Sequence, residues 1–159
     1  MSITAKRRIN LTVHRAAATL LLPLAAIAGA QQTAATEPQP LVTIKEVMEM
    51  TITPATNTIW NVPERPTDEQ WMALEQASIT LLLAADAIAR GGAGQHDAEW
   101  ASNPAWAAFN EAMVRAGLDA LEAIRARNSD ALIAAGDVLY PPCEGCHLQF
   151  NPGVTAGER

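Results

Sequence analysis

Four stretches of this chain repeat apolar residues at helical spacing, and each is bounded by prolines, glycines or capping residues. In the first, from about Leu41 to Trp60, the residues Leu41, Ile44, Met48, Ile52, Ala55 and Ile59 share a face, while Glu46, Glu49, Thr53 and Asn57 lie on other sides. Pro54 has no N–H and its ring crowds the preceding turn, so a kink is expected there. The β-branched Thr and Ile residues weaken the local helix preference. Asn61 to Pro66 is a connector with two prolines. Thr67 stands three residues before Gln70, the spacing of a capping box. It opens a second stripe of Trp71, Leu74, Ser78, Leu81, Leu82, Ala85 and Ile88, which runs to about Arg90 and ends at Gly91, Gly92 and Gly94. After a loop through His96 and Trp100, Asn103-Pro104 reads as an N-cap followed by proline at the first helical position. The third helix extends to about Arg127, with Phe109, Met113, Ala116, Ala120 and Ile124 on one face. Asn128 and Ser129 form the next break, with Ser129 as the cap. The fourth helix begins near Asp130 with Leu132, Ala135 and Leu139. Pro141 and Pro142 are expected to interrupt it, and a restarted turn places Cys143, Cys146, His147 and Phe150 on a continuing stripe.

Four amphipathic helices with short connectors predict an all-α chain, an antiparallel four-helix bundle. Composition agrees: two Phe and one Tyr in 159 residues suit packed helices better than strands. A helix of about 20 residues spans roughly 30 Å. Four of them can enclose one planar group, although an ordinary apolar core is the plain alternative.

The N-terminus reads separately. Lys6, Arg7, Arg8 and Arg15 precede a mostly apolar run from Ala16 to Ile27, and Ala28-Gly29-Ala30 supplies small residues for cleavage. This is the three-part pattern of a secretory signal peptide over residues 1–30. An uncleaved anchor helix is the competing reading, but the run is short for a span and Pro23 interrupts it. No other segment is expected to cross a membrane. Residues 31–40, with Pro38 and Pro40, read as a loose leader, and 41–159 as the bundle domain. Four of the eleven basic residues and none of the seventeen acidic ones lie in residues 1–30. Cleavage after Ala30 leaves seven against seventeen, a net charge of −10 with histidine neutral. Such a surface repels nucleic acid and suits either plain solubility or a basic partner.

The two cysteines are Cys143 and Cys146. A disulfide across two intervening residues would constrain little of the chain. With His147 they form Cys-x-x-Cys-His, the attachment signature of a c-type haem. Each thiol adds across one vinyl group, cysteines three apart on a turn reach neighbouring pyrrole rings, and the following imidazole is brought to the iron. A thioredoxin-like pair would sit at a helix start in a βαβ setting, and a zinc site would need about four ligands. There is no carboxylate pair, no nucleophile–His–acid set and no phosphate-binding glycine loop, so a carrier is expected rather than an enzyme.

The motif near the C-terminus, on the last of four predicted helices, resembles the class II cytochromes c, which include the high-spin cytochromes c′ and their low-spin relatives. The resemblance covers about Leu41 to Phe150. Val47-Met48-Glu49-Met50-Thr51-Ile52-Thr53-Pro54 up to Trp60 also looks like the first helix of certain bacterial members, which carry a methionine ahead of a proline and a tryptophan. It implies one covalent haem c held by Cys143 and Cys146, with His147 as proximal iron ligand, in a periplasmic electron carrier. Dimers through the first two helices are known among such relatives. In low-spin members a first-helix methionine is the sixth ligand; in cytochromes c′ an apolar residue leaves the iron open to NO or CO. Met48 lies four residues from both Ile44 and Ile52, on the apolar face, whereas Met50 neighbours Glu46, Thr53 and Pro54. Met48 is therefore the expected distal ligand. Met50, an open site, and Met48 as core filler stand as alternatives. Trp60 and Trp71 near the first turn, Trp100 and Trp106 around the third helix start, and Phe150 are candidates to pack on the haem or in the core. Many relatives carry a basic residue shortly after the motif; Leu148-Gln149-Phe150 has none. Arg65, Arg125 and Arg127 are then the candidate partners for the propionates. His96 is expected to be exposed.

Overall fold

In a computed structural model the described residues are 39–151, and their regular structure is all helical, with no strand among them. The export-signal and cleavage readings lie outside these residues. A first helical run comprises α1 (Ile44–Val47), a π-helical turn (Met48–Ile52) and α2 (Thr53–Trp60). It is followed by α3 (Asp68–Ala89), a short α4 (Asp97–Ala101), α5 (Pro104–Arg125) and α6 (Ser129–Phe150). Such an arrangement is compatible with a helical bundle. α5 packs along α3 and α6, and α2 reaches both α3 and α6.

Capping defines the starts. Thr67 accepts from the Gln70 N–H while the Gln70 side chain accepts from the Thr67 N–H, as the spacing predicts. Asn103 caps α5 through the Ala105 N–H, with Pro104 at the first position. The first helix begins later than its stripe suggests. Thr43 and Glu46 form a second capping box, and Leu41 is outside the helix and 94% exposed. The N–H and hydroxyl donations of Thr43 hold the Glu46 carboxyl below its usual pKa. Asn128, rather than Ser129, caps α6, because its side-chain oxygen reaches the Ala131 N–H.

The prolines behave in two ways. At Pro54 the expected kink takes the form of a π turn, with the Thr53 N–H bonded to the Met48 carbonyl five residues back. The wider turn relieves the clash a proline ring would make with the carbonyl four residues behind it. Pro141 and Pro142, expected to interrupt the last helix, lie inside a continuous α6. The carbonyls they leave without a donor belong to Asp137 and Val138, both on the solvent face, where water can satisfy them.

The core follows the predicted stripes: Ile59, Leu81, Ile88, Leu132 and Leu139 are fully buried, packed among Ala84, Ala85, Ala116, Ala120 and Ala135. Ser78, the polar member of the second stripe, is also fully buried, and its hydroxyl donates to the Gly117 carbonyl at 3.2 Å. By length and composition alone α3 is long and apolar enough to cross a membrane, which corrects the expectation that only the N-terminal run could. Its buried side is spent on α2 and α5, as in the core helix of a bundle.

Candidate functional site

α6 carries Cys143, Cys146 and His147 at i, i+3 and i+4, so the three side chains share one face. That face borders a cavity of about 540 Å³, within the usual range for small-molecule sites. Met48, Ile52, Trp60, Trp106, Phe109 and Met113 supply most of its apolar wall, from the first helical run and α5. A second recess of about 260 Å³ shares Met48, Trp106, Cys146 and His147 with the first and adds Trp100 and Phe150. Met48 and His147 therefore line the same two spaces. Met50 lines neither and is 77% exposed. The re-registered π turn begins at Met48, where it widens the backbone next to the cavity.

The two thiols are free and partly buried, and burial pushes both up to about 11 from the ordinary value near 9, with the neighbouring Cys143 adding to the effect at Cys146. They are neutral thiols at physiological pH, poor metal-binding thiolates and poor disulfide-exchange nucleophiles. Among the described residues no group of three His, Cys, Asp or Glu is placed to hold a metal ion unaided. His96 is exposed, lies on the α4 approach, and faces Glu99 at 3.7 Å. A metal at His147 would thus need most of its ligands from a larger group.

The walls fit such a group. Asn110 of α5 lines the main cavity, and its Oδ1 is buried without a hydrogen-bond partner. A buried acceptor left unpaired is costly, so this point of the wall calls for a hydrogen-bond donor, from water or from an occupant of the cavity. Gly145, inside the Cys-x-x-Cys-His motif, lets the Phe109 ring come close to the α6 backbone: a Cβ there would stand 2.6 Å from Phe109 Cε1. The indole of Trp60 closes another side, its Nε1 donating to the Gly136 carbonyl at 2.9 Å. Trp106, Trp100 and Phe150 form a connected aromatic group, with Trp106 and Phe150 centroids 5.2 Å apart. Trp71 is instead a core residue of α3.

The arginines suggested as propionate partners are placed elsewhere. Arg125 pairs with Glu75 at 2.9 Å and Arg127 with Asp68 at 2.6 Å; neither they nor the exposed Arg65 line either space. The basic residue that does is Lys45, in the smaller recess, paired with Glu49 at 3.6 Å. Sequence reasoning missed Lys45 and Asn110, because each sits outside a recognisable motif. No known protein family and no curated protein matches this chain.

Proposed function

We propose that the chain is an exported, periplasmic mono-haem c-type cytochrome that carries single electrons, with the described helices forming an antiparallel four-helix bundle around a covalent haem c. The observation that carries this reading is the convergence of Cys143, Cys146, His147 and Met48 on one cavity of about 540 Å³. The haem, when bound, supplies an iron that changes oxidation state by one electron. Cys143 and Cys146 would hold it through thioethers, and their neutral, buried thiols favour keeping the pair reduced until attachment. His147 would ligate the iron through an imidazole nitrogen. Met48 would ligate it through its sulfur, which would close the site to exogenous ligands and raise the potential. Ile52, Trp106 and Phe109 would border the haem with apolar surface, which would lower the local dielectric and tune the potential further. The net charge of −10 expected after cleavage suits a redox partner with a basic surface.

The test is expression of the full chain with a haem-maturation system, followed by mass spectrometry and oxidised and reduced spectra with and without carbon monoxide. The expected result is one covalent haem and a low-spin spectrum indifferent to carbon monoxide. Met48→Ala is expected to become high-spin and to bind the gas. A wild-type protein that is already high-spin and binds carbon monoxide replaces the electron carrier with a gas-binding protein. Absence of covalent haem removes both readings.

A further inference from the structure

We infer that Asp97 is a positioning residue for Met48: its buried carboxylate clamps the first turn of the helical run that presents the methionine. The inference rests on the reading of Met48 as a ligand. Asp97 opens α4 and is only 4% exposed. Its Oδ2 accepts from the Ile44 N–H at 2.8 Å and from the Gly94 N–H at 2.9 Å. Alongside, the Ala93 N–H donates to the Val42 carbonyl at 2.9 Å, so two bonds tie this loop to the entry of the first helix. Among the described residues only backbone N–H groups partner the carboxylate.

Ile44 lies one turn before Met48, and between them α1 has only four residues before the π turn begins. The run continues through the π turn into α2, but the N–H groups of its first turn find no carbonyl within it. The Thr43–Glu46 box caps this end on the exposed side, and the Asp97 bond to the Ile44 N–H is the buried contact. Because the ladder is re-registered at Met48 rather than regular, the position of the first turn rests on these end contacts. The loop is shaped to it. A Cβ on Gly94 would stand 2.7 Å from both carboxylate oxygens, and one on Gly92 would overlap the carboxylate and come 2.7 Å from the Ile44 nitrogen. Gly92 and Gly94, which read in the sequence as a helix stop, are what let the carboxylate approach. Trp100, also on α4, stacks on Trp106 with centroids 6.0 Å apart and lines the recess that holds Met48. One short helix thus anchors the methionine-bearing turn and walls the space beside it.

The experiment compares wild type, Asp97→Ala, Asp97→Asn, Gly92→Ala and Gly94→Ala by residue-resolved amide exchange and by spectra of the haem-loaded full chain. Asp97→Ala is expected to speed exchange from Ile44 to Ile52 roughly ten- to a hundredfold while α5 and α6 keep their protection, the scale of a lost bond to a buried charge. The same variant is expected to pass from a low-spin form to one that binds carbon monoxide. Asparagine can offer one oxygen to both N–H groups, so Asp97→Asn is expected to behave as wild type. Gly92→Ala crowds both the carboxylate and the Ile44 nitrogen and is expected to resemble Asp97→Ala; Gly94→Ala, whose Cβ meets the carboxylate alone, is expected to show the same pattern and covers the case in which Asp97→Ala does not fold. Unchanged exchange and spectrum in Asp97→Ala, Gly92→Ala and Gly94→Ala overturn the inference, as does a loss of protection spread evenly over all helices. A wild type without a low-spin spectrum removes the ligand reading alone; exchange at Ile44–Ile52 still decides whether Asp97 anchors this turn.

Discussion

Gly145 occupies one of the two variable positions of the Cys-x-x-Cys-His motif, yet its surroundings leave no room for a side chain. A Cβ built there meets Phe109 Cε1 at 2.6 Å, Cζ at 3.1 Å and Cδ1 at 3.5 Å. Ordinary carbon–carbon contact is about 3.5–4.0 Å, so Gly145→Ala must push the ring edge back by roughly 1 Å. Overpacking of this kind costs about 1–3 kcal/mol. Alanine in place of glycine within a helix returns about 1 kcal/mol. The difference is a net destabilisation of roughly 1 kcal/mol, moderated because Phe109 is only half-buried and its ring can swing. For a domain of this size that corresponds to a fall in Tm of about 3–5 °C. The decisive assay is a double-mutant cycle by urea denaturation with Phe109→Ala. Without the ring the helix preference acts alone, and Gly145→Ala is expected to stabilise the Phe109→Ala background by about 0.5–1 kcal/mol. A change of sign between the two backgrounds is the signature of the contact. If Gly145→Ala stabilises the chain with Phe109 present, the close approach of α5 to the motif is not as described and the argument fails.

Two further predictions concern the haem-free chain. With both thiols pushed up to about 11 from near 9, alkylation by iodoacetamide at pH 8 is expected to run about a hundredfold slower than for an unfolded control; equal rates would contradict the burial. The same shift makes the folded chain retain protons that the unfolded chain has lost above pH 9, so folding stability is expected to be fully present below pH 9 and to decline as pH rises towards 11, measured by urea denaturation across that range. Asn110→Leu removes the orphaned acceptor and is expected to raise the stability of the haem-free chain by about 1–2 kcal/mol; a loss of stability would mean that Asn110 is already satisfied within the protein.

What the sequence makes legible follows the range over which each cause acts. The Thr67–Gln70 box and the Asn103-Pro104 start are local chemistry, three residues wide, and the structure places both where the spacing puts them. Thr43 and Glu46 carry the same signature, but an apolar stripe begun at Leu41 masks it, since a side chain can share a helical face by number without belonging to the helix. Pro141 and Pro142 show the limit of a local rule: whether a missing N–H breaks a helix depends on whether water reaches the orphaned carbonyls, and that depends on which face α5 covers. Met48 and Met50 could be ranked because burial follows helical period. The π turn that contains both could not be read off, as it arises from Pro54 meeting a backbone that packs on α3. Asp97 was the least legible of all. An acidic residue after Gly-Gln-His looks solvated, and only the fold shows that Gly92 and Gly94 leave a space for its carboxylate beside the Ile44 N–H. The Asp97 carboxylate reaches back 53 residues to Ile44, in the turn that leads into Met48. The wall of the cavity that Met48 supplies is then set by the loop between α3 and α4 as much as by the helix that carries the methionine.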